Sequence, residues 1–353
     1  MNAAKRSILV AAAAAAGIVA FTASCAPKKT TLYIYNWDAY LKPELKAAFE
    51  EKFNCKVQED IFDSNEMLEA KIKGGGSNYD ILVPSCYFVE RMYKQGMLMD
   101  IDPAKVPNLK NVDKDITEKL SDKEMKHSVP YMMSYTALGY LKSDVTDFEP
   151  TWKMFEREGL KKRFTLLNDL REVLGAALKT LGYSVNSTDP AQIREAAEVA
   201  MNWKKNAAKF DNEQYKNGLA SGEFKLVMGY TGDMMQVQEE DNDDIEIVIP
   251  KEGTTLSVDM LVIPANSQNP DLAHAFINFV HDPANAAANT EFIYYLCPNT
   301  PSYELIDEEV RSNPVVFPDH EIMQRSEMIQ DVGDAITMYN DYWEKIKSKD
   351  TLD

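Results

Sequence analysis

The sequence predicts an α/β protein of two lobes, and three observations carry that prediction. The chain has 353 residues, enough for two domains at roughly 150 residues each. From Thr31 onward, short apolar runs alternate with amphipathic stretches, the rhythm of strands and covering helices. No Gly-, Pro- or Ser-rich linker separates one such block from the next. The chain is therefore expected to cross between its lobes more than once.

The elements follow in order. A strand is expected over 32–35 and a helix over 43–53, with Leu45, Ala48, Phe49 and Phe53 on one face. A strand over 57–62, a helix over 65–73 and a short buried strand over 81–83 complete a βαβαβ unit. That unit predicts a parallel sheet with helices on both faces. Gly74-Gly75-Gly76 lacks a following Gly-Lys-Ser/Thr and precedes a strand. It reads as a helix C-cap and turn, not a phosphate loop. The second block opens near Thr165, with a strand over 165–167 and a helix over 170–181. Asp189-Pro190 begins a long helix, aspartate as N-cap and proline at the first helical position. Strands are expected over 226–229 and 245–249, and the apolar run 260–264 reads as another. Two helices opened by Asn269-Pro270 and Asp282-Pro283 follow, and an amphipathic helix over 334–347 closes the chain.

The first residues form a unit of their own. Lys5 and Arg6 precede an apolar stretch over 8–21, and Thr22-Ala23-Ser24 supply small residues before Cys25. That is the layout of an export signal, too short and alanine-rich for a membrane span of ~20 apolar residues. The cysteine after small residues resembles a bacterial lipobox, although Thr22 stands where such motifs usually carry leucine. The resemblance implies a signal peptide over 1–24, a diacylglycerol-bearing Cys25 and a lipidated tether over 25–30. Ordinary signal cleavage nearby is the alternative.

The net charge of −18, or −20 once Lys5 and Arg6 are removed with no acid lost, argues against nucleic acid or anionic lipid as partner. It suits a cationic ligand. Cys55, Cys86 and Cys297 are an odd number beyond Cys25 and are expected as buried free thiols. His127, His274, His281 and His320 form no short ligand pair with a cysteine, so neither metal nor cofactor is expected. No G-x-S-x-G elbow is present and the scattered histidines offer no base. No catalytic residue, and no enzyme, is expected.

Three segments stand immediately past strand ends, where open α/β sheets bind ligands: Tyr35-Asn36-Trp37-Asp38-Ala39-Tyr40, Pro84-Ser85-Cys86-Tyr87 and Asn168-Asp169-Leu170-Arg171-Glu172. Asp169 has a second reading as a plain N-cap.

Several runs resemble the bacterial spermidine/putrescine-binding proteins. They are Tyr33-Ile34-Tyr35-Asn36-Trp37, Asp63-Ser64-Asn65-Glu66, Tyr79-Asp80-Ile81-Leu82-Val83-Pro84-Ser85, Arg171-Glu172-Val173, Ile249-Pro250-Lys251-Glu252-Gly253, Ile263-Pro264-Ala265-Asn266 and Gln330-Asp331-Val332-Gly333. The resemblance implies a two-lobed type II periplasmic binding protein fold, with 31–139 plus 258–305 as lobe I and 140–257 plus 306–353 as lobe II. It implies a polyamine held in the cleft by Trp37, Tyr40, Ser85 and Tyr87 from one lobe and Asp169 and Glu172 from the other. Tyr230 stands where the family has a tryptophan, and Asp233 and Asp259 match acidic contacts to amines. Asp38 replaces a small hydroxyl residue and adds a carboxylate. Ser257 replaces an aromatic residue, and Ile329 a glutamine that the adjacent Gln330 is placed to replace. A monomer in the periplasm is implied, anchored only through Cys25 and serving an inner-membrane permease and its ATPase.

The physical logic agrees. Each ammonium of a polyamine needs an anionic partner once stripped of water, and its methylene spacers need flat apolar walls. Asp233 and the missing aromatic at 257 favour putrescine, while the overall match ranks neither polyamine. A cationic amino acid in the same fold is the alternative. It calls for a basic residue, and Arg171 is expected to pair with Glu172 instead.

Overall fold

The computed structural model describes residues 29–75, 78–349 and 351–352. The export signal, Cys25, most of the tether and Gly76 lie outside the described residues. Within them, no helix is long and apolar enough to cross a membrane.

The first lobe is built on β1 (Thr31–Asn36), β2 (Lys56–Ile61) and β3 (Ile81–Leu82), parallel and ordered β2-β1-β3. Parallel neighbours need long crossovers, and α1 (Pro43–Lys52) and α2 (Asn65–Lys73) supply them. Pro43 lies in the first turn of α1, where its missing N–H costs nothing. The Ser64 hydroxyl caps α2 by accepting from the Met67 amide at 3.3 Å. Gly75, at φ +69°, turns the chain out of α2. A third helix, α3 (Cys86–Lys94), starts directly after the sheet.

The larger sheet contains β4 (Val129–Leu141), β5 (Phe164–Leu166), β6 (Lys209–Phe210), β7 (Leu226–Tyr230), β8 (Ile245–Val248), β9 (Thr255–Leu261) and β10 (Glu327–Met328). Its order is β10-β9-β4-β7-β5-β6, with β8 also on β4. Covering helices are α4 (Leu170–Thr180), α5 (Pro190–Asn206), α6 (Tyr215–Ala220), α7 (Thr231–Asp241), α8 (Pro270–Val280), α9 (Pro283–Ile293) and α10 (Ile336–Ser348). Asp169, Asp189 and Asp282 each cap the helix that follows.

Two expectations need correction. The second sheet is mixed, because β4 runs antiparallel to β7, β8 and β9. This 13-residue strand escaped the sequence reading because it is buried almost throughout and so lacks alternation. Pro130 and Gly139 within it also read as breakers. Pro130 sits at a register shift, the place a strand tolerates proline. At Gly139 a β-carbon would stand 2.5 Å from Met234 Sδ and 2.9 Å from Leu219. The strand expected over 260–264 instead spans 255–261. Its polar members Thr255, Ser257 and Asp259 alternate with buried Leu256, Val258 and Met260, a period of two that the apolar run beyond it masks.

β4 and β9 join the lobes. The first half of β4 pairs with β9 and the second half with β7 and β8. Just past β9, Val262 bridges Leu82 of β3. The expected boundaries at 139/140 and 257/258 fall inside these two strands. One core gathers Leu32, Ile34, Phe49, Ile81, Phe276 and Ile277, and Phe49 meets the Phe276 ring edge-on at 5.2 Å. The other holds Trp152, Phe155, Phe164 and Trp203, with Phe155 at 5.0 Å from Phe164. Side chains of this size contribute about 1.5–3 kcal/mol each on burial. Cys55, Cys86 and Cys297 are buried free thiols, as expected.

Candidate functional site

Strand ends and helix starts from both lobes converge on a cleft of about 110 Å³. All ten residues expected at the site line it: Trp37, Asp38, Tyr40, Ser85, Tyr87, Asp169, Glu172, Tyr230, Asp233 and Asp259.

Asp259 forms one end. The pleat of β9 turns it toward the cleft. Tyr40 Oη donates to its Oδ2 at 2.6 Å and Ser85 Oγ to its Oδ1 at 2.7 Å. Asn65 sets that arrangement from behind: its Oδ1 accepts the Ser85 amide at 2.9 Å, and its Nδ2 donates to Ser85 Oγ at 3.1 Å and Tyr87 Oη at 3.3 Å. Burial pushes the Asp259 carboxyl up to about 6, against the two hydroxyl donors that favour its charge.

Asp169 and Glu172 form the other end. Asp169 Oδ1 accepts the Arg171 and Glu172 amides at 2.8 and 3.1 Å, so the residue caps α4 as the N-cap reading expects, and it also lines the cleft. Its second oxygen meets Tyr230 Oη at 3.5 Å. Glu172 Oε2 accepts from Thr136 Oγ1 at 2.6 Å and also from Thr255 Oγ1. Burial raises both acids, and the charge of Asp169 raises Glu172 further. Two carboxylates this close in a buried setting resist joint ionisation.

Asp233 completes the set. Tyr215 Oη donates to its Oδ2 at 2.9 Å and Tyr295 Oη to its Oδ1 at 3.0 Å. Trp37 is fixed by its indole N–H on the Val83 carbonyl at 2.9 Å and by the Phe62 ring at 4.3 Å. Asp38 lies exposed at the rim.

Among the described residues, none of Asp38, Asp169, Glu172, Asp233 and Asp259 forms an ion pair. Neutral hydroxyls and amides hold the four acids inside the cleft, leaving each carboxylate acceptor capacity.

Two expectations fail here. Arg171 does not pair with Glu172. It is buried with its guanidinium on the Gln330 and Val185 carbonyls and on Asn186 Oδ1, at 2.9, 3.4 and 3.0 Å. Its Nη1 and Nη2 find these partners behind the cleft wall because α4 turns the side chain away from the neighbouring acid. Gln330 does not replace the glutamine lost at Ile329. It lies exposed outside the cleft, its carbonyl on Arg171, while Ile329 is buried.

The sequence reading missed Tyr295, Ser134, Asn212, Glu213 and Lys216, which also line the cleft. Tyr295 follows a left-handed residue, Tyr294 at φ +57°, which ends α9 without a local signal. Asn212 to Lys216 follow β6, two residues long and too short to announce itself. Asn65 lay within a quoted motif, yet its hydrogen bonds to Ser85 have no sequence signature.

Two α/β lobes joined by crossing strands around an acidic, aromatic cleft define a type II periplasmic binding protein. The chain belongs to the bacterial extracellular solute-binding proteins, matching that family over residues 44–318. It is 36% identical over 346 residues to the "Spermidine/putrescine-binding periplasmic protein" of Salmonella typhimurium, covering 97% of this chain and 98% of the relative. A solved structure from Listeria monocytogenes, described as a spermidine/putrescine ABC transporter, superposes with a TM-score of 0.85 at 34% identity, covering 91% of this chain and 99% of that one. The Tp0655 lipoprotein of Treponema pallidum gives 0.81 at 32%, covering 90% and 99%.

Proposed function

We propose that this chain is the solute-binding lipoprotein of an ABC importer, capturing putrescine or spermidine in the cleft and delivering it to a membrane permease and its ATPase. One observation carries the reading. Asp169 and Glu172 at the start of α4, Asp233 and Asp259 come from three separate segments, face one cleft and have no protein cation within ion-pair distance among the described residues. Leaving buried carboxylates without a counter-charge is costly, and a linear polycation removes that cost at several stations together. Trp37, Tyr40, Tyr87, Tyr230 and Tyr295 supply walls for the methylene spacers, each ring attracting an ammonium by ~0.5–2 kcal/mol. A micromolar complex needs only about −8 kcal/mol in total. The names that its relatives bear agree with this ligand class.

The lobes close over the ligand by bending within β4 and β9, in line with a hinge mechanism. Cys25 carries the lipid that holds the protein at the periplasmic face of the envelope. The Treponema pallidum relative, itself described as a lipoprotein, supports this reading. The protein works as a monomer. A cationic amino acid is the competing cargo. Its carboxylate needs a cation in the cleft; Arg171 is occupied elsewhere, and Lys216 is the basic residue that lines it.

Isothermal titration of residues 26–353 with putrescine, spermidine, cadaverine and lysine tests the reading. Saturable heat is expected with at least one of the first two. No heat with either ends the polyamine assignment. Metabolic labelling with a palmitate analogue, lost in Cys25→Ala, tests the anchor.

A further inference from the structure

Lys216 is the one basic residue among those lining the cleft. It forms no ion pair or hydrogen bond with any described residue, although Asp169, Glu172, Glu213 and Asp233 line the same cavity. Its segment is firmly placed. Asp211 Oδ1 accepts the Glu213, Gln214 and Tyr215 amides at 2.9, 2.6 and 3.2 Å. Tyr215 is buried, its hydroxyl donating to Asp233 and accepting the Tyr230 amide at 3.1 Å. Asn212 reaches across to the other lobe, its Nδ2 on the Asp63 carbonyl at 3.3 Å. The start of α6 therefore places a half-buried lysine on the wall of a cleft whose other charged residues are acids.

We infer that Lys216 sets the charge number of the cargo: the cleft takes a short linear diamine and discriminates against a triamine. This rests on the polyamine reading above. A dication places its ammonium groups at the Asp259 end and the Asp169–Glu172 end, where the carboxylates stand. A third ammonium has to share about 110 Å³ with the Lys216 charge, and like charges confined to a partly desolvated cleft repel strongly. The loss of an aromatic wall at Ser257 adds to this, since a longer chain finds less apolar surface there.

The test compares putrescine, spermidine and ornithine by isothermal titration on the wild-type protein, Lys216→Met and the charge-retaining Lys216→Arg. The wild type is expected to bind putrescine tighter than spermidine. In Lys216→Met both affinities rise, spermidine's by at least fivefold more, while Lys216→Arg keeps the wild-type ratio. An unchanged ratio in Lys216→Met, with both polyamines still bound, overturns this inference alone. Absence of binding by either polyamine to the wild type overturns the polyamine reading and this inference with it. Ornithine binding tighter than putrescine, lost in Lys216→Met, overturns it too, because Lys216 would then be receiving a ligand carboxylate.

Discussion

The two ends of the cleft hold their acids by different means. At one end Asp259 stands alone, each oxygen met by a hydroxyl, on a strand whose pleat aims it. At the other, Asp169 and Glu172 share the first turn of α4, and each makes the other harder to ionise. The difference teaches what each contributes. On the proposed function, Asp259 is a lone station whose charge depends mainly on pH, whereas the paired end, with Glu172 raised to about 7 by burial and by Asp169, ionises more readily when a cation sits between its acids.

The largest expected effect sharpens that contrast. Asp259→Asn removes a lone carboxylate with no neighbour to replace it, and should weaken polyamine binding by about 1.4 kcal/mol or more, at least tenfold, in a calorimetric titration. An unchanged affinity removes Asp259 from the site.

Acidification comes next. Ligand ammonium groups favour the ionised acids, so protons compete with ligand below about 6 at Asp259. Affinity should fall toward roughly tenfold per pH unit for each coupled proton as the pH drops from 7 to 5. Stability of the ligand-free fold moves the other way for this group. Its folded-state value is raised, so its contribution is fully present below the unfolded-state value and is lost as pH rises through about 6. The gain in Tm on adding putrescine should therefore be larger at pH 7.5 than at pH 5. A gain that is the same at both would break the linkage.

Glu172→Gln should cost about tenfold in affinity, near 1.4 kcal/mol, because Asp169 remains and now ionises more easily. The variant should also release fewer protons on binding, read from the dependence of binding heat on buffer ionisation enthalpy. Equal proton release would mean that the pair does not share its charge as the geometry implies. The smallest effect belongs to Tyr230→Phe. Its hydroxyl lies 3.5 Å from Asp169, at the limit of a hydrogen bond. A loss of about twofold or less is expected, with the ring still in place.

The first βαβαβ unit was readable because its strands are short, a proline opens α1 and a serine caps α2. All three segments past strand ends reach the cleft because chain direction alone fixes which end of a parallel strand they occupy. What stayed hidden is instructive. β4 has no alternation to detect, since nearly every residue on both faces is buried. Arg171 and Glu172 are neighbours in sequence, yet the helix sends one side chain behind the wall and the other into the cleft. Tyr295 reaches the site from a segment with no strand end of its own and Lys216 from one that follows the two-residue β6, so only the folded chain reveals them.

The hydroxyls on Glu172 come from Thr136 on β4 and Thr255 on β9, the two strands that pass from lobe to lobe. On the function proposed above, any rotation of one lobe against the other loads those strands and, through the two threonines, an acid placed to grip the cargo. Prying the body open at a permease would then be mechanically the same event as loosening its hold, with no separate trigger for unloading.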